Sequence, residues 1–397
     1  MRFKKTFSHT ERQVFMSAEK PGLPEQRAAR IYFFIGGFGA ASWAPLVPLL
    51  KARLAVDDGT LGLLLLCIGI GSLFTMPFSG AAAVRFGCRR VLTIAPIFYA
   101  ALLFGLCIVS SIWFAVPLLL AFGACMGCVD VVVNIVAVLV EQAAGKRLMS
   151  GMHARWSIGG FVGAGLFGVW VGTLGMTAMQ STIIASGIIL ALMALFSRHL
   201  LPYGGKGGGS LIAIPHGIVI FVGIIALISF LVEGAVMDWS GVFLTTVRGW
   251  DMSLAGSGFT VFSAAMLIMR LLGDKIVQKM GQQRIVVGGA FLAFAGFLLV
   301  MLSTNPVLIF AGFFFVGLGG ANVVPVFFSL LGKQDVMPVS AAVSAVSTLG
   351  YLGILAGPAA IGFISHLTNL QVAFGFLATL MFIEGLIAIY VYRQIEV

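Results

Sequence analysis

The chain has 397 residues, of which 60% are hydrophobic and only 10% charged, with a formal net charge of +10. No soluble domain can hide that much apolar surface from water, so lipid must cover it. A nucleic-acid role is excluded as well: no base-reading motif or soluble basic domain accompanies the positive charge, which instead reflects membrane topology and anionic lipid.

In chain order, residues 1–30 come first, polar and charged, without the continuous apolar stretch of a cleavable signal peptide. They read as a cytoplasmic tail, part of which could form an amphipathic stretch on the membrane surface. A helical span needs roughly 20 apolar residues. Spans are expected at 31–50, 60–79, 90–110, 114–140, 153–173, 178–197, 215–244, 252–272, 284–303, 306–330, 338–362 and 370–392. The Gly-rich gap 198–214, RHLLPYGGKGGGSLIAI, is a flexible cytoplasmic linker that divides them equally. The resulting organisation is a bundle over 31–197, the linker, a second bundle over 215–392 and a tail at 393–397.

The cations sort by gap. Of the 24 Lys and Arg, all but Lys51, Arg53 and Arg248 fall in the tail or in alternate gaps, among them Arg85, Arg89, Arg90, Lys146, Arg147, Arg198, Arg270, Lys275, Lys279, Arg284 and Lys333. The positive-inside rule then puts both termini in the cytoplasm and the chain in a plasma membrane, the inner one in a bacterium. Cys67, Cys88, Cys107, Cys125 and Cys128 lie in spans or at the cytoplasmic edge, where disulfides are not expected. The Cys125-x-x-Cys128 spacing reads as small packing residues in mid-helix rather than a redox pair.

The halves repeat. Ser42-Trp43 answers Asp238-Trp239, Gly62 answers Gly258, and VRFGCRRVL (84–92) answers QKMGQQRIV (278–286). Ser150, Gly160 and Gly163 recur as Ser340, Gly350 and Gly353. Two parallel six-helix repeats about an axis along the membrane normal are a transporter architecture. The fold expected is therefore all-α: twelve transmembrane helices in two pseudo-symmetric bundles around a central cavity.

With this layout the chain resembles the major facilitator superfamily over nearly all of 31–392. The loop signature of that family, Gly-x-Leu-Ala-Asp-Arg-x-Gly-Arg-Lys/Arg-x-x-Leu, is matched in register by Gly80, Arg85, Gly87, Arg89 and Leu92. Val84 stands where the family usually has Asp, so a charge-relay latch through that position is lost; the second copy has Gln278 there, with Arg270 and Asp274 close by as a substitute. In the fourth span, Asp130 and Asn134 are similar to the acid-x-x-x-Asn pattern of fucose-permease-like proton symporters, whose acid takes part in proton coupling. Ala41-Ser42-Trp43-Ala44 and Met152-His153 look like stretches of uncharacterised bacterial inner-membrane facilitators. The Gly-Pro pair common in the fifth span of proton antiporters is absent from 151–168.

Ionisable residues at span depth face a cavity or a partner, because lipid makes them costly. Asp130 is mid-span, and a carboxyl in apolar surroundings titrates in the range a proton carrier needs. Asn134, one turn on, shares its face. Glu233 is the corresponding candidate of the second half, whereas Asp238 reads as a solvated helix end and Glu384 as a structural pair or a cytoplasmic-edge residue. His153 reads as an interfacial histidine, alternatively a gate with Glu141. Asp274 belongs to the gating set with the loop motif. Trp43, Asn134, Trp239, Asn322 and Tyr351 are the substrate-contact candidates, with packing or interfacial anchoring as the alternative for the aromatics. Pro45, Pro48 and Pro325 mark bendable spans.

No metalloprotease, nucleophile-elbow or nucleotide-binding motif occurs, so the chain is not expected to be an enzyme and an ion gradient is the expected energy source. A monomeric secondary transporter follows, acting by alternating access and coupled to protons, with a small-molecule substrate and no cofactor or metal. The alternatives are a proton-driven exporter of amphipathic compounds and a non-transporting sensor or scaffold.

Overall fold

The computed structural model describes residues 22–43, 45–56, 58–205, 213–250 and 257–395, and these residues form no strand. Residues 1–21 of the expected 1–30 tail, linker residues 206–212, the start of the eighth span at 251–256 and residues 396–397 lie outside the described residues, while 23–30 of that tail belong to the first helix.

The first half comprises α1 (Leu23–Trp43), α2 (Leu46–Leu54), α3 (Asp58–Phe86), α4 (Cys88–Ile108), α5 (Ile112–Ala144), α6 (Met149–Gly168) and α7 (Ala178–Phe196). The second comprises α8 (Ile218–Val242), α9 (Ser257–Met280), α10 (Gln282–Leu302), α11 (Pro306–Gly320), α12 (Val323–Leu331), α13 (Val339–Leu367) and α14 (Leu370–Ile395). The expected bends appear where proline suggested them. Helix α1 stops before Pro45, and the 306–330 span divides at Ala321–Asn322, just ahead of Pro325.

Among the described residues, nine helices are long and apolar enough to cross a membrane; α11 and α12 count as one. Helices α1, α6 and α9 fall short of that apolarity. They carry Arg27 and Arg30, His153 and Arg155, and Arg270, Asp274, Lys275 and Lys279 respectively. Their polar residues are tolerable because α6 packs against both α1 and α9, so protein rather than lipid meets much of their surface. Outward positions on other helices show the opposite character, with Phe74 of α3 and Trp113 of α5 both more than 70% exposed.

Close helix packing follows the repeated glycines. A Cβ at Gly163 of α6 would collide with the Phe38 carbonyl of α1. A Cβ at Gly353 of α13 would collide with the Leu227 carbonyl of α8 in the same way. The loop repeat is reproduced in backbone geometry: Gly87 (φ 80°) and Gly281 (φ 88°) occupy the left-handed region immediately before α4 and α10.

The helix ends that carry Arg85–Arg90, Lys146–Arg147, Lys275–Arg284 and Lys333 form one end of the molecule, the basic end. At the other end, two of the three exceptional cations are absorbed by helix termini. Arg53 donates to the carbonyls of Leu106, Cys107 and Val109 at the close of α4, the first at 2.8 Å. Arg248 does the same at the close of α10, to Val300 (2.9 Å) and Met301 (2.6 Å). Each guanidinium satisfies orphan carbonyls and faces the negative end of a helix dipole. Both contacts stay within one half, and they are related by the repeat.

Candidate functional site

The fourth expected span, α5, carries Asp130 and Asn134 on one face, as their spacing requires. Asn134 is 1% exposed. Its Nδ2 donates to the Asp130 backbone carbonyl at 2.9 Å and lies 3.4 Å from the Asp130 carboxylate. Gly145, in the left-handed region, closes α5, and the short turn returns the chain as α6 alongside it. That return sets His153 Nε2 3.2 Å from Asn134 Oδ1. The His153 ring lies between Phe33 (centroids 5.2 Å apart) and Phe328 (5.9 Å), the latter from α12 of the second half. His153 thus joins the carboxylate group through Asn134 rather than standing alone at the interface. Glu141, its expected alternative partner, is engaged elsewhere. Tyr351 of α13 comes near the same group, close to Ser72 of α3 and to Asp130.

The second half supplies the facing group. Arg270 is 9% exposed, although hydropathy placed it among the loop cations. Its Nη2 lies 3.5 Å from Glu233, its Nε donates to the Ala321 carbonyl at 3.3 Å, and its Nη1 crosses to Ser157 Oγ of α6 at 3.0 Å. Asn322 is 1% exposed at the α11–α12 break; its Nδ2 donates to Met269, while its Oδ1 has no partner. A small cavity beside this group is lined by Ser229, Glu233, Phe262, Arg270 and Met381. Glu384, fully buried, accepts from Ser229 Oγ at 2.9 Å, one helical turn from Glu233. The structural pairing expected of Glu384 is therefore present, and it extends the polar group behind α8.

Toward the basic end the halves are joined around the N-terminus of α6. Glu141 Oε2 accepts from the backbone N–H of Leu148 (2.7 Å) and Met149 (2.9 Å), while its Oε1 lies 3.5 Å from Arg147. Asp274, from α9 of the opposite half, accepts from the Gly151 N–H at 2.9 Å. One helix terminus thus holds a carboxylate from each half, a favourable place for negative charge. Ser344 donates to the Met76 carbonyl, and Gln142 to that of Gly332, both across the halves.

The loop-motif residues divide. Gly80 allows α3 to meet the N-terminus of α13, where a Cβ would strike the Ser340 carbonyl. Gly87 lies against the Pro202 carbonyl. Arg89 ties the linker down, with its N–H on Leu201 at 2.8 Å and its Nε on Leu200 at 2.9 Å. Arg85 is exposed and lies over Phe86. Two of the aromatic candidates have apolar packing partners. Trp43 is 7% exposed and packed on Phe122, and Trp239 lies against Gly362 of α13. Sequence reasoning missed Ser157 and the caps at Arg53 and Arg248. A lone serine in a glycine-rich helix carries no signal, whereas the matching position of the two arginines in the repeat did.

A family model described as Major Facilitator Superfamily matches residues 31–334 and 222–396. An uncharacterised MFS-type transporter of Yersinia pestis is 43% identical over 93% of this chain and 96% of its own. An uncharacterised transporter of Sinorhizobium fredii is 32% identical over 92% of this chain and 96% of its own. Among solved structures, the E. coli fucose:proton symporter FucP, including the form in the outward conformation, superposes with a TM-score of 0.76 at 14% identity, over 94% of this chain and 99% of that one. At that identity the likeness is one of fold.

Proposed function

Because the chain belongs to the major facilitator superfamily, a family of transporters and not of enzymes, we propose that it moves a small polar solute by alternating access, with protons as the coupling ion. The observation that carries this reading is the convergence of buried polar groups from both halves, joined by the 3.0 Å contact of Arg270 with Ser157. In lipid such groups cost several kcal/mol unless they serve a partner or a passage. In this reading α1, α6 and α9 complete the nine apolar spans to twelve, arranged as two six-helix bundles around the passage. The basic end faces the cytoplasm, as do both termini, in the plasma membrane.

Asp130 is the proton carrier. On accepting a proton its carboxyl changes from acceptor to donor, which alters what Asn134 can bond and, through Asn134, what His153 can bond. Asn134, Asn322 and Tyr351 offer donors and acceptors to the solute; Trp239 stands toward the opposite mouth, and Trp43 serves packing. Glu233 neutralises Arg270 within the second half and is the second carboxylate assigned to proton coupling. Asp274 on the N-terminus of α6 closes the cytoplasmic side, replacing the latch that Val84 cannot form.

The test is transport in proteoliposomes over a panel of small metabolites, with proton movement recorded alongside. Asp130→Asn, which cannot titrate, is expected to lose uphill accumulation and proton movement while keeping solute counterflow. Undiminished proton-coupled transport would remove Asp130 and leave Glu233 as the next carboxylate. The direction of proton movement relative to solute separates symport from export.

A further inference from the structure

A second polar cavity, of about 510 Å³, opens at the basic end between the halves, away from the passage. We propose that it binds a phosphate-bearing anion that bridges the two halves. Its wall carries Lys146 and Arg147 from the first half, and Gln282 and Lys333 from the second. Gln282 Oε1 is already taken, accepting from Arg147 at 3.0 Å and from Lys333 at 3.1 Å. Its Nε2 is a buried donor without a partner, on a side chain only 8% exposed. Such a donor is expensive to leave unmade, and although the Nε2 atom itself is covered, its side chain forms part of the wall of a space where cations have gathered. Glu141, the one carboxylate in the wall, does not oppose an anion strongly, because it is committed to Arg147 and to the N–H groups of Leu148 and Met149.

The repeat supplies an independent comparison. In the first half the N-terminus of α4 is already met by oxygen atoms: Arg89 N–H donates to Leu201, and Gly87 lies against the Pro202 carbonyl. In the second half the equivalent N-terminus, that of α10, begins at Gly281 with no side-chain cap, and a Cβ there would meet nothing within 4 Å. Where the first copy receives the linker's carbonyls, the second opens onto the cavity. Helix N–H groups, a guanidinium and ammonium groups together make the donor set that phosphate oxygens require, and a small turn of the Gln282 side chain would add its amide. An anion held from both halves favours the conformation in which the basic end is joined.

The phosphate group can come from a dissolved phosphate or from a phospholipid headgroup. The experiment measures the thermal unfolding midpoint of the purified, delipidated full chain in detergent. It titrates inorganic phosphate against equal concentrations of sodium chloride, and in a second arm phosphatidylglycerol against phosphatidylcholine. A saturable rise with phosphate is expected, weakened at least about tenfold by Gln282→Glu, which replaces the donor with a carboxylate of the same shape, and by Lys333→Gln. A rise with phosphatidylglycerol alone, equally sensitive to both substitutions, identifies the headgroup as the ligand. If Gln282→Glu fails to fold, Lys333→Gln, on an exposed side chain, carries the comparison. The proposal is overturned if neither probe gives a rise beyond its control, or if the rise survives both substitutions. Neither outcome bears on proton coupling at Asp130.

Discussion

Arg270 brings its charge into the protein, and Glu233 at 3.5 Å is its ion-pair partner. Removing one member of such a pair leaves an uncompensated charge, which costs more than removing both. The Glu233 side chain is 38% exposed, so the penalty for Glu233→Gln is expected near the low end, about 2–3 kcal/mol. The double variant Glu233→Gln/Arg270→Met should recover much of that loss, and thermal unfolding of both singles and the double closes the cycle. Additive losses would show that the two charges do not interact. Half of this site was legible in the residues alone. Asp130 and Asn134 announce themselves because both lie deep in one apolar run at helical spacing. Arg270 and His153 do not, because each sits near a span end, where hydropathy cannot say whether a long side chain turns outward to water or inward to a partner. Their partners are distant in sequence: Ser157 lies on the other half, and Glu233 on another helix. Only tertiary packing brings them together.

Helix α6 is the element on which the halves depend, since it meets α1 within its own half and α9 across the divide. Its seat on α1 requires Gly163, as the seat of α13 on α8 requires Gly353. Gly163→Val and Gly353→Val force backbones apart by the same geometry. Each is expected to lower stability by about 1–3 kcal/mol, the usual cost of overpacking. Folded yield and the unfolding midpoint of the two variants check this, and a loss in only one would break the correspondence between the halves. These glycines were legible because close approach leaves a period in the chain, as were the breaks at Pro45 and at Asn322–Pro325. The shortfall of α1, α6 and α9 from full apolarity has the same origin as their role. A helix that faces protein on several sides is released from the demand that lipid imposes, so hydropathy weakens where the site is built.

At the scale of the molecule, apart from Arg270 on Ser157 at the polar site, the described polar ties between halves lie toward the basic end: Asp274 on Gly151, Ser344 on Met76, Gln142 on Gly332 and Arg147 on Gln282. A carboxylate at a helix N-terminus contributes about 0.3–1 kcal/mol, up to ~2 when partly buried. Asp274→Asn keeps the acceptor but removes the charge, so it should shift the population toward the parted state by about fivefold, the equivalent of ~1 kcal/mol. Alkylation of Ser344→Cys, buried in the joined state, reads the shift in a background without the five native cysteines. An unchanged rate would deny Asp274 a part in closure. The arginines at the far end complete the picture. Arg53 and Arg248 grip carbonyls of their own half, so neither contact would change in the proposed movement of one half against the other. One mouth is therefore fastened by hydrogen bonds between the halves, two of them charge-assisted, while the cations of the other stay with partners of their own half. In the proposed alternating-access cycle the two steps would then differ in kind: parting the basic end would break polar ties, the charged ones weakened by ionic strength, whereas parting the other would leave its capped charges undisturbed.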